Sequence, residues 1–579
     1  MQKIILIICF LIAYDAQAQQ RADAIWLRHS CGYTNGVNLL GGSVWGDAVC
    51  ADRFGNSYNS GYFSGNWFTM DTVIEMNTNR FYINKYNSAG KRVWTAKARG
   101  TTINSIMTSA RMECDDSGNV YVCGTFGVDD SVYMAPYWYP VGSGYIAKYD
   151  SNGNNVWCRY TPKTSTTSLT FNDMSLANGY IYACGIMNYG TASFGTFSFT
   201  TTHPQNGVIV KLDLNGNVLL GELLDTGGTN EVHGIEVSKQ TNNVYLVGQY
   251  LYNKLTIDGM TVQEVADATN SFIVKMNSSF VAKWVKNGYT HIQYNTGSGV
   301  WGTGVKCLKA VELDQFDNIY AVGNGNGDTT RFGNLFFNHM ITSGPYHQDV
   351  YLVKCDSNGT VKWLKNGKSP ENDYVHDLMT DKWGNSIMSV WSGRNAIGNF
   401  VFDSDSIDRW HGGLIKYDPN GNVLFAKQLQ ENRSITKLAL GIDSTFFATG
   451  NGVAYGKPYD TINVTGCENT ANGTLADNKM IMVKFFDNTS VIVNSVKDIQ
   501  RPFVINVYPN PANEHLFFKA AKSNEEYFLR ISDMYGRIVY TGSFVNEEDV
   551  NTSQLPGGMY IYQLSDSKNQ VISNRFVKQ

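Results

Sequence analysis

Only 17% of the 579 residues carry charge, well below the usual quarter, and acidic and basic side chains nearly balance at 50 and 46. That balance excludes the basic footprint of a nucleic-acid or anionic-membrane binder. Beyond the first dozen residues no long apolar run occurs, so the mature chain is expected to hold no transmembrane segment. Cysteine is sparse. Ten are present, and setting aside Cys9 in the N-terminal apolar run leaves an odd number over a large domain, which excludes a disulfide framework. Cys123, Cys158 and Cys184 lie in apolar strands and read as small buried hydrophobes. Cys114 and Cys123 flank one turn and are the pair that could bridge. No Cys/His spacing suits zinc. The Gly-x-Ser-x-Gly, His-Glu-x-x-His and P-loop signatures are missing as well. No metal or cofactor is expected.

The chain opens on Lys3 and a short apolar run, with Ala16-Gln17-Ala18 placing small residues ahead of a cleavage point. This reads as a signal peptide, residues 1–18, with export of everything after it.

What the sequence has in quantity is aromatics, glycine and repetition. A lysine recurs behind an apolar strand at Lys85, Lys148, Lys211, Lys275, Lys354, Lys416 and Lys484, with spacings from 62 to 79 residues. Periodicity of that kind means one supersecondary unit stacked on its neighbours. Upstream of each lysine stands a turn and a strand that usually ends in glycine, as in Asp115-Asp-Ser-Gly-Asn-Val-Tyr-Val-Cys-Gly124. Downstream comes a second turn, such as Asp150-Ser-Asn-Gly-Asn154, and a strand bearing Trp94, Trp157, Leu220, Trp284, Trp363 or Phe425. Asp, Asn and Gly supply the turn chemistry and the flanking runs have strand composition. Each unit is thus predicted to hold four strands, and radial repetition of such units makes a β-propeller.

The seventh unit ends near Asp487 without its aromatic strand, while a spare strand of that type, Ala24-Ile-Trp-Leu-Arg-His29, starts the mature chain. We expect it to close the ring. The expectation is all-β: a seven-bladed β-propeller over 19–488, a linker over 489–503, and a small Ig-like β-sandwich over 504–579. The repeat resembles those of bacterial seven-bladed propellers with the pattern D-x-x-GN-x-Y-x-x-G … KYD-x-NG-x-x-W, a likeness that implies fold and no particular activity.

The C-terminal segment carries Tyr508, Pro509, Asn510 and Pro511 as an opening motif, then Asp533-Met-Tyr-Gly536-Arg537. Leu555-Pro-Gly-Gly558-Met-Tyr560 and a basic end at Lys578 follow. Four motifs in this order resemble the type A C-terminal sorting domain of type IX secretion cargo in Bacteroidetes. The resemblance implies the type IX translocon and sorting machinery as partners, and a destination that is secreted or attached to the outer-membrane surface.

Chemistry is harder to find. The Asp-x-Asn-Gly-Asn turns lack the position-12 Glu of a calcium loop and read as hairpin turns. The seven lysines read as structural, their stems covering strands and their ammonium groups meeting turn carboxylates. Two long connections resemble each other, Cys31 to Asp47 and Asn287 to Thr303, and each presents a tryptophan among glycines, Trp45 and Trp301. Near them the innermost strands begin with Asp47, His233, Lys309 and His376, and with Asp173 as a further candidate. A polar rim with two aromatic loops is a candidate mouth for a glycan or peptide ligand. The alternative reading makes both tryptophans core caps. The stretch Tyr133-Met-Ala-Pro-Tyr-Trp-Tyr-Pro140 reads as blade packing, with sugar stacking as its alternative. The leading expectation is a non-catalytic exported binding module. A glycan hydrolase or lyase drawing on Asp47, Asp173, His233 and His376, or a structural adhesion component, are the alternatives.

Overall fold

A computed structural model describes residues 22–487 and 505–579 apart from connecting segments, of which 34–42, 292–307, 340–347 and 453–478 are the longest. The chain divides into two compact units, 1–491 and 492–579.

In the first unit the described residues form seven four-stranded antiparallel arrangements, some of them extended by further strands. Their innermost strands are Ala48–Ala51, Met107–Cys114, Leu169–Ala177, Thr229–Val237, Leu308–Leu313, Asp373–Thr380 and Ser434–Leu440. Each packs against the next, and the last packs against the first, so the inner strands form a closed circle. The final sheet takes its outer strand from the chain start: Ala22–His29 lies antiparallel on Lys479–Asp487, with Leu27 opposite Val483. Trp26 is buried there between Tyr86 of the first sheet and Phe447 of the last.

Repetition of the lysine has a mechanical basis. Lys85 Nζ donates to the Ser151 carbonyl at 3.4 Å, Lys148 to Leu214 at 3.2 Å, Lys275 to Ser357 at 2.8 Å and Lys354 to Pro419 at 2.8 Å. Each acceptor lies in the outer turn of the following blade. Lys484 completes the circle by reaching Ser88 of the first blade at 3.4 Å. The sequence led us to expect turn carboxylates as partners, and only Lys416, paired with Asp487, finds one. The others cannot, because the turn acids are already committed. Asp150 accepts the Asn152 and Asn154 backbone N–H groups on one oxygen and the Asn154 amide on the other. Burial, the largest single influence, raises the Asp150 carboxyl, and these bonds together outweigh it and hold the group below its ordinary range.

Where a repeat carries a tryptophan on its outer strand, the ring packs on the next turn. Gly153 has φ +87°, and a Cβ there would meet the Trp94 ring at 2.8 Å, so both conformation and contact demand glycine. The Trp94 indole N–H donates to the same Ser151 carbonyl at 2.9 Å that Lys85 uses. A lysine and an indole donate to one carbonyl in the same way at Leu214 and Pro419, so three blade boundaries are joined at the rim by this pair.

Strand edges are managed from the adjoining blade. The hairpin Val132–Met134/Tyr137–Tyr139 of the second blade pairs with the outer strand Arg92–Gly100 of the first. Leu335–Asn338 with Thr329–Phe332 does the same for Ala282–His291. Covering an outer strand in this way removes an open hydrogen-bonding edge. Cys50, Cys114, Cys123, Cys158, Cys184 and Cys355 carry free thiols, and Cys114 and Cys123 lie on neighbouring strands out of register with each other.

The second unit is two facing sheets, of three and four strands, around a core that includes Leu516, Phe518, Leu529, Ile531, Tyr562 and Phe576. Alternation is clean along Tyr527–Asp533, where Tyr527, Leu529 and Ile531 face inward, as a half-buried strand requires.

Candidate functional site

Six of the seven inner strands slip register at the same point, as between Ser109 and Arg111, Phe171 and Asp173, Val232 and Gly234, or Val375 and Asp377. One residue is bulged out at each slip. The glycine that ends the second strand of most repeats answers to this feature. A Cβ on Gly124, Gly185, Gly248 or Gly450 would lie 1.9–2.0 Å from an inner-strand carbonyl just ahead of the slip. Bulge and glycine are one device.

His233, Lys309 and His376 are bulged residues, and Asp47 stands at the matching place in the first blade. The candidate residues therefore occupy one tier around the axis. Their polar groups reach sideways. Lys309 Nζ donates to the Val375 carbonyl at 2.9 Å, and His376 Nε2 meets the Ser434 hydroxyl at 3.0 Å. His233 Nε2 lies 3.1 Å from Glu231, and the Ser109 N–H donates to Asp47 at 3.5 Å. Asn172 and Thr436, in the same tier, donate to the Val232 and Gly46 carbonyls of the following blades at 3.0 and 2.7 Å. Burial pushes the Asp47 carboxyl up to about 7. Burial, aided by the Lys309 charge, brings the His376 imidazole down to about 4.

One residue further along, the axis holds a charge cluster that sequence reasoning missed except for Asp173. Arg111 projects into it and lies 3.2 Å from Glu113, 3.7 Å from Asp173, 3.2 Å from Glu312 and 3.7 Å from Asp377. Lys437 approaches Asp377 at 3.2 Å. Asp173 and Asp377 also accept backbone N–H groups of the next blade, from Ile235 at 3.0 Å and Leu438 at 2.8 Å. Burial raises the Glu113, Asp173 and Glu312 carboxyls against the pull of Arg111, and with Glu113 nearby it takes Glu236 to about 7. The available signal was a charged residue two places before the turn in an otherwise apolar strand: Glu113, Glu236 and Glu312.

Trp45 is half-buried, stacked on Tyr62 at 4.2 Å and 9°, and its carbonyl accepts the Tyr82 hydroxyl at 2.7 Å. Trp301 lies outside the described residues, as does Gly536. Among the described residues no group of three or more His, Cys, Asp or Glu side chains is arranged to hold a metal ion, and no helix is long and apolar enough to cross a membrane.

In the second unit the opening motif and the chain end meet. Asn510 accepts the Val577 N–H at 3.0 Å, and Ala512 bridges in parallel to the buried Lys578. Tyr508 is exposed, stacks on Phe517 at 5.7 Å and reaches Glu547 at 3.1 Å. Pro509 and Pro511 each follow a cis peptide bond. Arg537 closes its hairpin on Asp533 at 2.7 Å. Gly558 pairs with Lys578 at the start of its strand, and Tyr560 stacks on Phe576 at 5.4 Å.

Residues 506–579 match the family model described as the secretion system C-terminal sorting domain. Over 431 residues the chain is 23% identical to an uncharacterized WD repeat-containing protein, L264, of Acanthamoeba polyphaga mimivirus, covering 63% of this chain and 30% of that protein. The chain thus spans about three tenths of the length of the curated relative it matches. The extracellular domain of a one-component system from B. thetaiotaomicron is similar at 9% identity over 95% of this chain and 98% of that one, TM-score 0.17. A quinoprotein alcohol dehydrogenase-like protein from the same species is similar at 10% identity over 69% of this chain and 96% of its own, TM-score 0.19. Residues 506–579 are a type IX secretion sorting domain, carried behind an all-β propeller, and the chain is cargo for secretion or attachment at the cell surface.

Proposed function

We propose that the exported propeller is a non-catalytic binding module whose contact face is the axial mouth bearing Trp45 and Asp47, with Trp301, His233, Lys309 and His376 completing its lining. The observation that carries the reading is how the candidate acids and bases are spent. Asp173 and Asp377 accept backbone N–H groups of the next blade, and Lys309 and His376 bond across blade boundaries. Groups held in this way orient strands and are poorly placed to shuttle protons, which needs a free site within hydrogen-bond reach of a substrate. An aromatic face beside a polar tier suits recognition instead.

The full exported chain on glycan and peptide arrays tests this, with each hit followed by a turnover assay. Binding without turnover, lost in Trp45→Ala while the melting temperature holds, is the expected result. Cleavage of a bound glycan would replace the reading with a hydrolase or lyase. A sharp drop in melting temperature for Trp45→Ala would make that tryptophan a core cap.

A further inference from the structure

A second site lies away from the axis, where the hairpin of the second blade docks on the outer strand of the first. Tyr133 pairs directly with Arg99 on one side and with Trp138 on the other, which sets the three side chains in a row on one face. Val132 and Met134 point the opposite way into the core, at 2% and 0% exposure, so the hairpin is firmly seated. The Arg99 guanidinium lies 5.1 Å from the Tyr133 ring centroid and 5.7 Å from that of Trp138. It is exposed, and no described residue gives it a carboxylate. Beside this row opens a cleft of about 470 Å³, lined by Thr95, Lys97, Arg99, Tyr133, Tyr149 and Asn154 among others, with no acidic side chain in its wall. That volume falls within the range of about 300–1,000 Å³ typical of ligand sites. Tyr149 is only 2% exposed, and its hydroxyl finds no hydrogen-bond partner among the described residues. A buried hydroxyl left in that state is costly unless something else satisfies it.

We infer that this cleft is a binding site for an anionic saccharide, one carrying a carboxylate or sulfate. A guanidinium resting against two rings keeps an N–H fork available for bidentate contact with such a group. Trp138, at 51% exposure, offers a face for the apolar side of a sugar ring. Thr95 and Asn154 add polar edges for hydroxyls. An acidic peptide fits less well, because the hairpin already occupies the strand edge at Ala98–Gly100 that a peptide would extend. The inference is independent of the axial mouth.

Titration calorimetry of the full exported chain with an oligogalacturonate, a chondroitin sulfate oligosaccharide, a neutral cello-oligosaccharide and an oligoglutamate peptide tests it. At least one of the two anionic saccharides is expected to bind, more weakly as salt rises. Affinity should fall about tenfold or more in Arg99→Gln and in Trp138→Ala, and by a smaller factor in Arg99→Lys, which keeps charge and loses the fork. Tyr149→Phe removes the unsatisfied hydroxyl, so it should weaken binding without lowering the melting temperature. Trp45→Ala should leave this binding unchanged, which separates the two sites. Failure of both anionic saccharides to bind, preference for the peptide or the neutral sugar, or affinity unmoved in Arg99→Gln and Trp138→Ala with melts intact would each overturn the assignment.

Discussion

Replacing Arg111 by methionine keeps the stem and removes the only guanidinium facing Glu113, Asp173, Glu312 and Asp377 among the described residues. The side chains involved are deeply placed, with Arg111 at 14% and Asp377 at 0% exposure. Removing one partner of a buried ion pair leaves an uncompensated charge and costs about 3–5 kcal/mol. The cost should depend on pH, and the sign follows from the carboxyls. Burial raises Glu113, Asp173 and Glu312, and takes Glu236 to about 7. The folded state therefore holds protons that the unfolded chain has released from about pH 4.5 upward, so these groups cost the fold stability as pH rises above that, Glu236 as it passes about 7. Taking away Arg111, which opposes that shift, extends the loss to higher pH. We expect Arg111→Met to be least harmful near pH 5 and to show its full cost near pH 8. Urea unfolding of the full chain followed by tryptophan fluorescence measures this cleanly, because all 12 tryptophans lie before residue 491. Glu312→Gln in the same background should recover part of the loss. A cost below about 1 kcal/mol at pH 8, or an equal cost at both pH values, would show that the cluster is not energetically coupled.

Two further expectations concern the ends of the chain. A protein starting at Asn35 lacks the strand Ala22–His29 and exposes the edge of Lys479–Asp487, so it should be insoluble or unfold at much lower denaturant than one starting at Gln19. Equal cooperative unfolding of the two would contradict this. Deleting residues 504–579 should leave a folded propeller in the periplasm, read by fractionation and protease resistance, since the two units have separate cores. Continued surface display would count against the sorting role.

The repeat was legible because local rules write it. A turn acid, a glycine at positive φ and an aromatic strand recur in fixed order, and each position is dictated within a few residues. The identity of the lysine's partner was not legible, since Asp150 satisfies its own turn and leaves a carbonyl of the next blade as the acceptor. The axial cluster was hidden for a different reason. Arg111 and Glu312 are 201 residues apart, and nothing local to either anticipates the other. The candidate tier of Asp47, His233, Lys309 and His376 could be placed from its offset along the inner strands, while the sideways reach of those side chains depends on a register slip visible only in three dimensions. Tyr133 to Pro140 divided between its two readings: Val132 and Met134 pack beside the cluster, whereas Trp138 stays open to solvent.

The closing strand also imposes an order of events. Ala22–His29 leaves the ribosome before its partner Lys479–Asp487, which is made about 450 residues later. Until then that strand is an unmatched half of a clasp, and the first and last blades cannot lock together. The sorting domain comes after the partner strand, starting at residue 506. An address label written at this point is complete only after the package can be sealed, so a chain truncated anywhere in the ring lacks the label.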